Sequence, residues 1–183
     1  MGYTTEFVGE FTIDPPLAGA HYAYLERFSR SRHMKRDPKV LETMRDPLRE
    51  AVGLPIGVDG EFFVAARSPQ TDSDSSVVDF NRPPSCQPGL YCQWRPSSDG
   101  RTLGWDGVEK FYDYVEWLRY LIENMLKPWG YTVSGHVLWR GERRADLGQI
   151  RVSQNIVTVQ KQRWGLADSK LWRARFESER TAS

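Results

Sequence analysis

Nucleophilic catalysis needs a Ser or Cys set against a His and a positioning acid. This 183-residue sequence holds those residue types without that pattern. There is no G-x-S-x-G elbow, Cys86 and Cys92 sit in the turn-rich SCQPGLYC, and His21, His33 and His136 are scattered singly. The scatter also argues against zinc, which takes about four ligands at recognisable spacings. No P-C-x-x-C or G-x-x-x-x-G-K-[ST] pattern points to deaminase or P-loop chemistry. No catalytic residue, metal or cofactor is assigned.

Two charged groups carry the remaining chemistry. Arg140, Glu142 and Asp146 cluster in RGERRAD; paired carboxylates can do acid–base work, but a solvated hairpin tip pinned by salt bridges accounts for them equally, and exposed bridges contribute only about 0–1 kcal/mol. The stretch 27–39 holds Arg27, Arg30, Arg32, Lys35, Arg36 and Lys39 against Asp37 alone. Arg30, Arg32 and Arg36 are candidates for an anionic ligand such as a nucleotide, and the whole run could track nucleic-acid phosphates. Cations at a helix C-terminus also answer the helix dipole.

The elements that must position these groups follow from periodicity. Alternation predicts a strand over 6–13, and three- and four-residue spacing of Leu17, His21, Tyr24, Leu25 and Phe28 predicts a helix over about 17–30, with His21 a hydrogen-bonded core residue. Residues 40–85 read as an irregular insertion, with a helix broken at Pro47, a strand at 61–66 and a long polar loop at 68–85. A hairpin at 90–95 and 101–105 turns through PSSDG. A helix over 107–127 follows, opened by a capping-box-like DGVE, with Val108, Phe111, Tyr112 and Leu118 on its wide apolar face. Trp117 and Tyr120 fall off that face, beside Lys110, Asp113 and Asn124. Either the insertion covers them or they meet a partner; if exposed, Trp117→Ala would abolish binding and leave the melting temperature nearly unchanged. A meander over 131–140, 150–152 and 156–159 leaves His136 solvent-facing, and 161–183 is a basic tail or marginal helix that docks loosely.

This order predicts an α+β domain over 1–160, with two main helices on a mostly antiparallel sheet. Without the insertion it reads β-α-β-β-α-β, the ferredoxin-like order, with extra C-terminal strands. Twenty-five basic against 24 acidic residues give a net charge of +1, so nucleic acid is not the favoured partner. No apolar run approaches the roughly 18 residues of a membrane helix and no signal peptide opens the chain, which implies a soluble cytoplasmic protein with reduced thiols. Seven Trp, eight Tyr and eight Phe suit either an aromatic core or a binding surface.

The segments EKFYDYVEWLRYLIENMLKPWGY and GHVLWRGERRADLGQIRVSQNIVTV, with EFVGEFTIDPPL, GLPIGVDGEFFV, NRPPS and PGLYCQW, resemble a group of small uncharacterised bacteriophage and bacterial, often actinobacterial, proteins over about 1–160. The resemblance implies an intracellular accessory protein, phage- or prophage-borne, and no site residue. The leading reading is a non-enzymatic protein that binds a protein or a small ligand, with Trp117, Tyr120, Arg140, Glu142 and Asp146 as the contact residues. The alternative is an enzyme or sensor of an anionic ligand using Arg30, Arg32 and Arg36, or a weak nucleic-acid binder.

Overall fold

The structure, a computed structural model, describes residues 2–65, 74–143, 145–161 and 166–182. Its frame is a six-stranded antiparallel sheet made of β1 (Thr5–Asp14), β4 (Trp94–Pro96), β5 (Thr102–Trp105), β6 (Thr132–Gly141), β7 (Leu147–Ser153) and β8 (Ile156–Lys161), in the order β4-β5-β1-β6-β7-β8. Two short strands, β2 (Lys35–Arg36) and β3 (Val77–Asp79), form a separate ribbon. The N-terminal strand lies between the hairpin and the strand after the second main helix. That is the pairing expected of a β-α-β-β-α-β unit, extended by two meander strands at one edge.

Alternation puts opposite sets of side chains on the two faces. Phe7, Phe11, Val133, Val137, Trp139 and Ile150 face the main core, which they share with α1 (Gly19–Arg30) and α4 (Tyr114–Leu121). Gly9 and Gly135 are both in left-handed φ; a Cβ on either would sit under 3 Å from a carbonyl of the neighbouring strand, so only glycine lets β1 and β6 close. On the far face Val8, Leu138 and Leu147 pack with Trp172 and Phe176 of α5 (Leu166–Ala182). The C-terminal segment thus docks as a third layer through two buried aromatics rather than as a loose tail.

The insertion is short pieces started by capping rather than one broken helix. Asp37 accepts from Lys39 N–H at the start of α2 (Pro38–Leu41), and Asp46 accepts from Arg49 N–H at the start of α3 (Pro47–Ala51). In both, proline occupies the first turn, where its missing N–H costs nothing. Buried Asp46 also accepts from Val64 N–H at 2.7 Å, drawing 61–65 inward as irregular backbone rather than as the expected strand. Phe62 and Val64 join the main core there. Residues 68–73 of the expected loop lie outside the described residues.

The second main helix differs most from its sequence reading. It begins at Tyr114, not 107, because Gly107, Lys110 and Asp113 all hold left-handed φ, which a helix cannot accommodate. Residues 106–113 are a loop, in which Asp106 accepts from Val108 N–H instead of opening a capping box. Past Leu121 the helix continues as a π-helical turn, Ile122–Leu126, with Lys127 N–H bonding to Ile122 C=O at 2.9 Å. Phe176→Ala is expected to lower the unfolding free energy in urea by about 3–5 kcal/mol; a loss below about 1 kcal/mol would show that α5 adds no real layer.

Candidate functional site

Arg32 builds one wall of the site. Its guanidinium donates to Phe80 C=O, Asn81 Oδ1 and Tyr91 Oη, and stacks 4.2 Å from the Phe80 ring. Together with His33 N–H to Leu90 C=O and Lys35 N–H to Arg82 C=O, it straps residues 80–91 across the end of α1. The loop 106–113 forms the opposite wall. It is tied to β4 by Asp106 N–H to Gln93 C=O, by Gln93 Nε2 to Glu109 C=O, and by Trp105 Nε1, which is shared between Gln93 Oε1 and Val108 C=O.

Between strap and loop lies a cleft of about 1230 Å³, with Arg30, Gln93 and Arg95 on its sides and Trp117 of α4 on its floor. Tyr91, Val108 and Tyr112 edge it and are 42%, 55% and 52% exposed. Val108 and Tyr112 were expected on a buried helix face; the early loop turns them outward, while Phe111 between them is buried. Two polar groups meet beneath the strap. The Trp117 indole nitrogen, fully buried and without a hydrogen-bond partner among the described residues, and Asp113 Oδ2 lie 3.6 and 3.8 Å from the point where Gly89 would carry a Cβ. Burial, then the nearby Glu116 charge, raises the Asp113 carboxyl above its ordinary range. Arg95 reaches Asp106 at 3.6 Å, but its Nε is buried and unpartnered.

The residues picked from sequence fall elsewhere than expected. Trp117 and Tyr120 are not a contact surface, because both are buried. The insertion covers Tyr120, which donates to Glu61 Oε2 at 2.6 Å and stacks between Phe28 and Phe62, whereas Trp117 packs on Phe28 and His33, outside the insertion. Of that pair, Trp117 alone lines the cleft. Arg140, Glu142 and Asp146 are fasteners. Arg140 bridges Glu6 and Glu177 over the Phe176 ring, Glu142 accepts from Thr4 N–H, and Asp146 accepts from Tyr3 Oη and Trp139 Nε1.

The arginine trio does not converge either. Arg36 is buried against Asp74 at 2.7 Å and stacks on Phe63. Burial opposes ionisation of Asp74, but hydrogen bonds from Ser76 and Arg36 outweigh it and hold that carboxyl at about 2. Arg32 is the strap clamp, and Arg30, paired with Glu26, alone reaches the cleft. His21 is hydrogen-bonded to Tyr131 Oη and stacked on Trp129. Both cysteines are free; Cys86 donates to Glu61, and burial followed by that carboxylate pushes its thiol up to about 12, far from a nucleophile's range.

Gln93 and Arg95 carried no sequence signal, since they reach the cleft only when strap, strand and loop are folded together, whereas Asp113 stands beside Trp117 in the helical reading and Tyr112 on its buried face. Among the described residues no group of three or more His, Cys, Asp or Glu could hold a metal, and no helix is long and apolar enough to cross a membrane. Comparison with protein-family models, curated proteins and solved structures gives no match.

His33 beneath the strap is a built-in pH probe. Buried between Phe28 and Trp117 with Nε2 unpartnered, it stays neutral as burial lowers its pKa to about 3. The unfolded chain takes up that proton below about 6.5, so stability is full above that pH and falls as pH drops toward 3. Unfolding free energy from urea titrations should decline by up to about 1.4 kcal/mol per pH unit below 6.5, and less steeply in His33→Phe. A His33 imidazole resonance titrating near 6.5 would contradict this.

Proposed function

We propose that this chain is a non-enzymatic binding protein whose cleft takes a small, flat organic ligand with an amide-like edge. The observation that carries the reading is the unpartnered Trp117 indole N–H on the cleft floor beside the Asp113 carboxylate. A buried donor left unsatisfied costs about 1–3 kcal/mol, so a ligand acceptor placed against it recovers that energy on binding. An adjacent ligand donor meets Asp113. Tyr91, Val108 and Tyr112 offer apolar and aromatic surface to the ligand's body, and a few convergent polar groups within apolar walls are the usual make-up of a small-molecule site. Among the described lining residues no nucleophile is set against a base, which favours binding over catalysis.

The nucleotide-sensor alternative loses two of its three arginines, because Arg32 and Arg36 are spent on the strap and on Asp74. A cytoplasmic, phage-associated accessory role is compatible with ligand binding and rests on the sequence resemblance alone.

Benzamide is a minimal probe of this edge. It should shift the Trp117 indole N–H resonance saturably and raise the melting temperature, whereas toluene, which lacks the edge, should not shift that resonance. Gly89→Ala adds a methyl at ordinary contact distance from Trp117 Nε1 and Asp113, so the fold tolerates it while the edge is blocked. With Asp113→Asn, it should weaken the response about tenfold or more. No benzamide shift, or equal shifts in both variants, would sink the reading. Binding of a protein through the same residues, with no small-molecule response, would reassign the cleft to a protein partner.

A further inference from the structure

A second cavity, of about 510 Å³, opens on the sheet face opposite the main core, where β6 and β7 meet α5. Its lining is polar, with Ser134, His136, Gln149, Arg151, Ser153 and Arg175 around it. His136 and Arg151 are register partners across β6 and β7, so both project from the same face beside α5. Arg175 reaches them from the helix, placing NH2 3.1 Å from His136 Nε2.

The donors outnumber their partners. Arg151 is exposed, and no described side chain pairs with its guanidinium. Arg175 uses its Nε on Glu179 at 2.9 Å and one terminal nitrogen on His136, and its other terminal nitrogen has no partner among the described residues and can serve a ligand. Ser134 Oγ accepts from Gln154 N–H at 3.1 Å and keeps its own proton to donate. The acids nearby are engaged: Glu179 holds Arg175 and lies 3.6 Å from His136, and Glu10, opposite His136 on β1, accepts from the Thr102 hydroxyl. Two guanidinium groups, a hydroxyl and an amide around one polar hollow suit a group with several acceptor oxygens and negative charge.

We infer that this pocket binds the phosphate group of a small phosphorylated molecule, independently of the cleft on the other face. A nucleic-acid backbone offers the same oxygens, but it would need a track of cations, and Arg32 and Arg36 of the basic run are committed elsewhere.

Inorganic phosphate titrated into the full chain should shift the His136 imidazole signals saturably and raise the melting temperature, beyond the effect of sodium chloride at matched ionic strength. Arg151→Gln, at an exposed side chain without a partner, should fold normally and weaken the phosphate response about ten- to a hundredfold, while leaving the benzamide response of the cleft intact. A phosphate effect no larger than that of chloride, or one unchanged in Arg151→Gln, overturns the inference. Tighter binding of oligothymidylate than of phosphate, falling steeply with salt, would overturn it in favour of a nucleic-acid backbone.

Discussion

A helix whose large apolar side chains extend beyond the stripe facing the sheet needs cover from more than the sheet, and this governs the molecule. The exposed stripe of the second main helix is Glu116, Arg119, Glu123 and Asn124. Leu118, Leu121, Ile122 and Met125 join the main core, and Trp117 and Tyr120 on the same helix belong to it as well. Phe28, His33 and Gly89 cover Trp117, and the insertion covers Tyr120. Its fixed point is Glu61, which takes a hydrogen bond from Tyr120 at 2.6 Å, while Gln87 donates to Glu61 C=O at 2.7 Å. Burial and the Glu61 carboxylate both push the Tyr120 hydroxyl far above its ordinary pKa, so it remains a donor at all working pH values. The Trp117 and Tyr120 rings are both buried, and the cleft opens beside Trp117.

Charged residues act mainly as fasteners between segments distant in sequence. Arg32 holds the strap, Arg36 of β2 holds Asp74 in the segment leading into β3, and Arg140 ties β1 to α5 through Glu6 and Glu177. Asp146 and Glu142 hold the N-terminal residues against the turn between β6 and β7. A net charge near zero fits this use, since most of these cations meet a specific anion or carbonyl. Arg36 is nearly fully buried, so loss of Asp74 would leave a desolvated guanidinium short of its counter-charge.

The sheet separates two surfaces of different chemistry. One face carries the aromatic core and, at its margin, a cleft where a buried indole N–H and a carboxylate wait under a glycine-containing strap. The other carries α5 and a hollow lined by guanidinium, imidazole, hydroxyl and amide groups. Strict alternation along β6 serves both: Val137 and Trp139 point to the first face, and His136 and Leu138 to the second.

The sequence by itself determined what depends on short-range repetition. Period-two alternation set β1 and the meander, spacing of three and four set α1, and element order pointed to a mostly antiparallel α+β sheet, in which the structure places β1 between β5 and β6. Tertiary structure decided everything that rests on distant partners. The 107–113 segment has helical apolar spacing, yet Lys110 and Asp113 turn left-handed, and those residues form a cleft wall instead. Trp117 and Tyr120 look exposed on a helical projection, because a projection carries no information about covers as distant in sequence as His33 and Glu61. The arginines of 27–39 look like a shared anion site in one dimension; in three, each points to a different partner, since helix, ribbon and strap diverge from that point. Local periodicity fixes which face a side chain takes, whereas what stands opposite that face is set by the packing of the whole chain.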